Sequence, residues 1–311
     1  MPIKPIHSCK FCSSLNSKTF SAEERMLGLA GAFIYQQCVD CGSLQLQTIP
    51  EDLSKFYPET YYSFAELVPS SSMLQFLKKR RMELFLSTGL SFLSPSYGNW
   101  LYKIKPNFHD KIADIGCGNG QLLYELWAAG FKHLEGFDPF IKKDRNFSDS
   151  LKLWKKPIQE SKTTFDLIMM HHAFEHMHKP EGILKTAYEK LRPGGKLLIR
   201  TPVSDSEVFQ VEGSMWVQLD APRHLVIPSI KGFKELAEKV GFQLNEVEFD
   251  SDSFQFKGTE LYKMGKTLNK DLLENTFTKK EEKEFNKKAF ELNKKAKGDQ
   301  VCFYLTKLDF K

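Results

Sequence analysis

The chain has 311 residues, 41% hydrophobic and 27% charged, with a net charge of +5. This is ordinary globular composition with room for one large domain and a smaller module. No apolar run approaches the ~20 residues that span a bilayer. The start, Met1-Pro-Ile-Lys-Pro-Ile-His7, lacks the apolar core of a signal peptide, so a cytoplasmic location is expected.

Residues 1–48 carry four of the six cysteines as two close pairs, Cys9-x-x-Cys12 and Cys38-x-x-Cys41-Gly42. Two such pairs can place four thiolates around Zn²⁺, and the glycine suits the tight turn of a zinc knuckle. Disulfides are the alternative, disfavoured in a cytoplasmic protein. A filled four-thiolate sphere makes the metal structural. Strands are expected at 33–37 and 43–48. Residues 49–108 form a linker and helical cap, with a polar-aromatic stretch (Tyr57, Tyr61, Tyr62) and helical periodicity from Met73 to Leu86. The tyrosines suit either the acceptor site or the junction between module and catalytic domain.

From 109 to 311, strand and helix signals alternate, as in a mostly parallel sheet covered on both faces. The first strand runs into Asp114-Ile-Gly116-Cys117-Gly118-Asn-Gly120, followed at once by the helix-periodic Leu122, Leu123, Leu126 and Trp127. Glycines there let the backbone turn sharply and approach a ligand, which also meets the new helix's amides. The spacing differs from the G-x-G-x-x-G of dinucleotide loops, and the leading acid would repel a pyrophosphate but pair with an ammonium. The ligand implied is a nucleoside bearing an amino acid, which S-adenosylmethionine fits. Asp138 ends the next strand at the offset of a ribose-binding carboxylate, the alternative being a solvated acid in a turn. Cys117 and Cys302 read as small packing residues.

Further strands are expected at 165–170, 196–201, 243–249 and 301–308. An amphipathic helix carries Ile183, Leu184, Ala187 and Tyr188, another spans 231–240, and the lysine-rich 279–297 reads as a solvated helix. After the 165–170 strand comes His171-His172-Ala-Phe-Glu175-His176, beside the expected donor pocket. Histidine titrates near neutrality and a carboxylate can orient it, so these residues form a candidate acid/base cluster. The i, i+4 spacing of His172 and His176 also allows a metal, and Glu175 and His176 could simply cap a helix. A second constellation, Trp216 to Pro228, is a proline-stiffened loop carrying Arg223 and His224. Arg223 offers a fork for an anionic acceptor and His224 a base. The alternative is a loop brace, with Arg223 paired to Asp220 or Glu212.

With these motifs the chain resembles the class I S-adenosylmethionine-dependent methyltransferases over about residues 74–311. The resemblance rests on Asp114–Gly120, Asp138, Phe165-Asp166-Leu-Ile-Met-Met, Leu191-Arg-Pro-Gly-Gly-Lys-Leu-Leu-Ile and the last strand. It implies a doubly wound, seven-stranded, Rossmann-like sheet whose final strand inserts antiparallel, behind a small zinc-ribbon-like module. It implies S-adenosylmethionine held by Asp114, Gly116, Cys117, Gly118, Gly120, Asp138 and His171. The cysteine module is similar to that of methyltransferases of sugars and natural products. A small-molecule acceptor, a nucleotide-linked sugar above all, is therefore expected, with His224 as first-choice base. Lys10 and Lys18 are too few to make the module a nucleic-acid platform, so an RNA- or protein-modifying enzyme and a non-catalytic binding protein are the alternatives. The sequence leaves the oligomeric state open.

Overall fold

A computed structural model describes residues 7–29, 31–58, 67–95 and 97–308. The N-terminal module is a small antiparallel sheet of β1 (Ser17–Glu23), β2 (Ala32–Cys38) and β3 (Leu44–Leu46). Helices α1 (Ser72–Thr88) and α2 (Asn99–Ile104) then lead into the main sheet. Of the apolar positions in α1, Met82 and Phe85 are buried, whereas Leu74 and Leu77 stay exposed.

The main sheet begins with β4 (Lys111–Ile115), α3 (Gln121–Ala128), β5 (His133–Phe137), β6 (Arg145–Ser148) and β7 (Leu151–Trp154). It continues with β8 (Phe165–His171), α4 (Pro180–Lys190), β9 (Leu191–Pro202) and α5 (Glu207–Glu212). The chain then forms β10 (Val226–Ile227), α6 (Ile230–Val240), β11 (Phe242–Phe249), α7 (Phe254–Lys263), α8 (Lys270–Asn275), α9 (Lys279–Lys294) and β12 (Gln300–Lys307). The strand order is β11-β12-β9-β8-β4-β5-β7-β6. Strand β12 is antiparallel to both neighbours, and the β9-β8-β4-β5-β7 centre is parallel. This is the class I methyltransferase sheet of seven strands, with β6 added as an antiparallel edge. Parallel strands covered on both faces must be apolar throughout, and β4 and β8 are almost entirely buried.

The module is not an independent bead. Strand β10, from the loop after β9, pairs with β3 and completes the small sheet as β1-β2-β3-β10. Cys9, Phe11, Cys38 and Cys41 share one core with Phe174, Leu184 and Phe233 of the main domain. Helix α6 is capped by Ser229, whose Oγ accepts the Gly232 N–H at 2.9 Å and donates to the Cys41 carbonyl. One residue thus caps a catalytic-domain helix and fastens the cysteine knuckle. The boundary expected at residue 48 is therefore a boundary in sequence more than in packing.

Candidate functional site

The β4–α3 turn is shaped by backbone the sequence must supply. Gly116, Gly118 and Gly120 all have positive φ, 76°, 51° and 83°. A Cβ on Gly116 would meet Ala173 Cβ at 2.5 Å, and one on Gly120 would meet Leu153 Cδ1 at 2.5 Å. The loop is thus pressed against the end of β8 on one side and β7 on the other.

Asp114 is buried under this loop, and its Oδ1 has no hydrogen-bond partner. Burial, reinforced by the nearby Asp138 charge, pushes its pKa up to about 8. An orphaned buried carboxylate oxygen beside a second carboxylate is what a cationic group would satisfy. Asp138 accepts the Gly118 N–H at 3.0 Å and the Phe140 N–H at 2.8 Å, one on each oxygen. Each oxygen keeps a second lone pair for a hydroxyl. The residues therefore fit a nucleoside bearing an amino acid, such as S-adenosylmethionine. Cys117 faces Gly136, where an added Cβ would meet its Sγ at 2.6 Å, and burial raises its thiol pKa, consistent with packing. His171 is held neutral, pushed down to about 3 by burial and then by the Arg200 charge. Its ring lies 5.0 Å from that of Trp100 and its Nε2 is unpartnered.

The two histidine constellations, far apart in sequence, converge on one cavity of about 260 Å³ whose lining includes His172, Glu175, Arg200, Asp220, His224 and Phe254. No helix joins His172 to His176. Residues 174–176 form a 3₁₀ turn, His172 sits at φ 50°, and α4 begins only at Pro180. A metal-binding helix through His172 and His176 is thereby ruled out. The atoms that do gather belong to Glu175, His176 and His224, all within 4.8 Å of one another. His172 Nε2 lies 3.0 Å from the Arg200 guanidinium, so it accepts, leaving Nδ1–H to face Glu175 Oε1 at 3.3 Å. Burial alone would raise the Glu175 carboxyl, but the His172 contact and the surrounding histidines hold it below the ordinary range.

His224 stands in the second half of the cavity. Its Nδ1 lies 2.7 Å from the Gln218 carbonyl, which fixes the proton there and leaves Nε2 as a lone pair. Nε2 is 3.9 Å from Glu175 Oε1 and 3.8 Å from Asp220 Oδ2. Burial, and next the adjacent His176, lower its pKa to about 4. His176 turns its Nδ1 to the Arg223 carbonyl at 2.9 Å and to Tyr57 Oη at 3.1 Å. It stacks edge-on against His224 with centroids 4.9 Å apart.

Arg223 does not reach an acceptor. Its side chain is 0% exposed. The guanidinium donates to both Asp220 oxygens at 2.6–3.0 Å, to Glu24 Oε1 at 2.7 Å and to the Phe56 carbonyl at 3.3 Å. The substrate-contact expectation is corrected here: the residue is a brace, and its second carboxylate is Glu24 of the module rather than Glu212, which meets Lys263. Tyr61 and Tyr62 lie outside the described residues. Sequence reading missed Arg200, Gln255 and Asp299. The signal for Arg200 was a cation closing an apolar strand, Leu197-Leu-Ile-Arg200. Asp299 accepts the Trp216 indole N–H at 3.0 Å, and burial raises its pKa to about 6.

In the module, Cys9 Sγ lies 3.6 Å from Cys41 Sγ and Cys12 Sγ 3.5 Å from Cys38 Sγ, with all four thiols free. A tetrahedral site with Zn–S of about 2.3 Å has edges of about 3.8 Å, close to these separations.

Residues 78–247 match the methyltransferase domain family, and the chain belongs to it as an S-adenosylmethionine-dependent methyltransferase. Among its curated relatives is the tRNA U34 carboxymethyltransferase of Helicobacter acinonychis (strain Sheeba), 31% identical over 156 residues. That match covers 46% of this chain and 60% of the relative. The enzyme of the same name from Aliarcobacter butzleri (strain RM4018) is 29% identical over 162 residues, covering 46% of this chain and 52% of the relative. The chain thus spans somewhat over half the length of these relatives. A solved S-adenosylmethionine-dependent methyltransferase from Archaeoglobus fulgidus is similar at 17% identity and a TM-score of 0.43, over 82% of this chain and 100% of that one. These names correct two expectations. A sugar acceptor finds no support among them, and the expectation that nucleic acid is an unlikely partner is overturned by relatives named for tRNA, which favour the RNA-modifying alternative. No helix among the described residues is long and apolar enough to cross a membrane.

Two outcomes follow from the buried charges. Removing one partner of a buried ion network strands the others, so Arg223→Ala should cost about 3–5 kcal/mol in urea denaturation; a loss below about 1 kcal/mol would show that the Asp220–Arg223–Glu24 cluster does not hold the loop. Asp114 titrates near 3.9 when unfolded and near 8 when folded, so its ionisation penalises the native state increasingly from about pH 4 to 8. Ligand-free Asp114→Asn should lose this fall in stability with pH, while binding the donor more weakly. Parallel stability curves for the two proteins would show that Asp114 is not desolvated.

Proposed function

We propose that this chain modifies RNA, moving the methyl carbon of an S-adenosyl donor, bare or carboxylated, to a nucleobase of tRNA. The observation that carries the reading is the set of relatives at about 30% identity that bear a tRNA-uridine name. The acceptor cavity supports it. Phe254 offers a ring for a base to stack on, and the buried Gln255 Oε1 on the same wall has no hydrogen-bond partner. An unpaired acceptor oxygen suits the ring N–H of a uracil-type base, because leaving it unpaired costs free energy. A base presented from a single-stranded loop enters such a pocket with little unstacking cost.

When bound, the donor supplies an electrophilic sulfonium carbon. Asp138 holds its ribose and Asp114 its ammonium, beneath the glycine turn. His224 Nε2, the lone pair facing the cavity, takes the acceptor's O–H or N–H proton. The Gln218 carbonyl fixes its tautomer, and Glu175 stabilises the imidazolium that results. The Arg223 brace keeps the base in place and helps exclude water, so alignment is provided before reaction. In the module, Cys9, Cys12, Cys38 and Cys41 hold a structural zinc, supported by their convergence and by the absence of any bridge among them.

The reading is tested by incubating the protein with labelled donor and bulk tRNA, then digesting the RNA to nucleosides. Label on a uridine is expected, and His224→Ala should cut the rate about 10²–10⁴-fold with donor affinity unchanged. With its pKa near 4, His224 ionisation should leave no inflection in the rate above about pH 6. Label that never enters RNA but reaches a small-molecule acceptor would refute the proposal. For the metal, elemental analysis should find one zinc per chain, with Cys41→Ser losing both the metal and module stability, since binding energy there is folding energy. A metal-free, fully stable wild-type protein would contradict it.

A further inference from the structure

We infer that the β6–β7 edge of the sheet is the surface that grips the RNA backbone; this rests on the RNA reading above. Besides Lys152 on β7, the edge gathers five cations at one end: Lys142, Lys143 and Arg145 ahead of and on β6, and Lys155 and Lys156 just after β7. The two segments lie side by side, with Lys155 Nζ 3.3 Å from the Lys142 carbonyl and the Lys155 N–H 2.6 Å from Asp144 Oδ1. Among the described residues, none of the five side chains forms an ion pair with a carboxylate, although Asp144 and Asp149 lie in the same hairpin. By contrast, Lys280, Lys294 and Lys297 each meet a glutamate. An unpaired cluster of like charge repels itself, and a polyanion relieves that repulsion while releasing its own counterions.

Aromatic rings are interleaved with these charges. Arg145 lies over Phe147 and Lys156 over Trp154, each 4.7 Å from the ring centroid. Phe140 is 81% exposed, an unusual position for so large an apolar ring. Cations tracking a phosphate chain, with the exposed Phe140 ring left to stack on a base, are the parts of a single-stranded nucleic-acid surface. Its place in the fold is equally informative. The Asp138 N–H donates to the Trp154 carbonyl at 3.1 Å, and the Phe140 N–H donates to Asp138. The cluster therefore begins at the lip of the donor pocket, and β6 is the open edge of the sheet, where no further strand among the described residues covers it. RNA held here would run past the donor while one base turns into the acceptor cavity.

The test measures binding of the full chain to fluorescently labelled bulk tRNA by anisotropy, at about 50 and 200 mM salt. The variant Lys142→Gln/Lys143→Gln/Arg145→Gln/Lys155→Gln should bind about 10- to 100-fold more weakly at low salt. Its log–log salt dependence should be shallower by about 0.7–0.9 for each phosphate that is no longer neutralised. A control, Lys280→Gln/Lys294→Gln/Lys297→Gln, should stay within about 2-fold of wild type. Phe140→Ala should weaken binding about 5- to 100-fold with the salt slope unchanged, the signature of a missing stacking partner. Donor calorimetry and thermal melting confirm that each variant is folded; if the fourfold variant is not, Lys143→Glu alone should still weaken binding at least about 3-fold. Wild type that labels and binds tRNA beside a fourfold variant that binds equally well would overturn this surface and leave the RNA reading intact. Wild type that neither labels nor binds tRNA would overturn both. Loss of binding to phosphatidylserine vesicles with tRNA binding untouched would assign the patch to a membrane surface and overturn it too.

Discussion

The buried guanidinium of Arg223 is the contact on which the arrangement of this site depends. A fully buried cation is tolerated only when its donors are matched, and here two carboxylates and a carbonyl match them. Glu24 belongs to the cysteine module, Asp220 to the loop after β9, and Phe56 to the linker. Three separate lengths of chain are therefore tied at one point. The same loop is fixed again by Tyr35 of β2, whose hydroxyl donates to the His224 carbonyl at 2.7 Å, and by the Leu225 N–H, which donates to the Glu175 carbonyl at 2.8 Å. His224 cannot move without disturbing both the module and the turn after β8.

This gives the cysteine module a physical role beyond lining the cavity through Met26. It completes its sheet with β10, shares a core with α4 and α6, and braces the loop that presents the candidate base. A zinc site that fixes the knuckle would fix the end of the Trp216–Pro228 loop through Ser229, which caps α6 and holds the Cys41 carbonyl. The candidate donor half of the site follows a separate logic. It is built from glycine backbone and two acids at the ends of adjacent parallel strands, and it depends on tight packing against Ala173 and Leu153.

How much was legible in the sequence divides along the same line. The β4–α3 loop could be read because only glycine fits its positive φ values and because the acid, strand and helix are contiguous. Strands β8 and β12 and the 196–201 part of β9 could be read because buried strands are apolar runs of recognisable length, and β11 because apolar and polar residues mix over a strand-length segment after Gly241. Arg223 could not be placed, since its partner Glu24 lies 199 residues away and nothing local distinguishes a brace from a substrate clamp. The convergence of His224 with Glu175 is likewise a tertiary fact. Strand β10 is two residues long, and its pairing with β3 leaves no periodicity to detect. The basic residues weighed in the sequence were those of the module and of 279–297, whereas the Lys142–Lys156 cluster is gathered on the far edge of the main sheet only by the fold. In α1 the apolar periodicity is real, yet Leu74 and Leu77 face outward. A repeat in sequence shows a face, not what covers it.

The central claim, that the module holds the loop carrying the candidate base through a buried ion cluster, is tested most directly by native-state hydrogen exchange in Glu24→Gln. Local opening free energies report how firmly each segment is held. The account predicts that amides from Trp216 to Ile227 lose protection in the variant, while those of the β4–α3 loop keep theirs. Unchanged protection across 216–227 would show that the loop is held by its own contacts and that the module is merely attached.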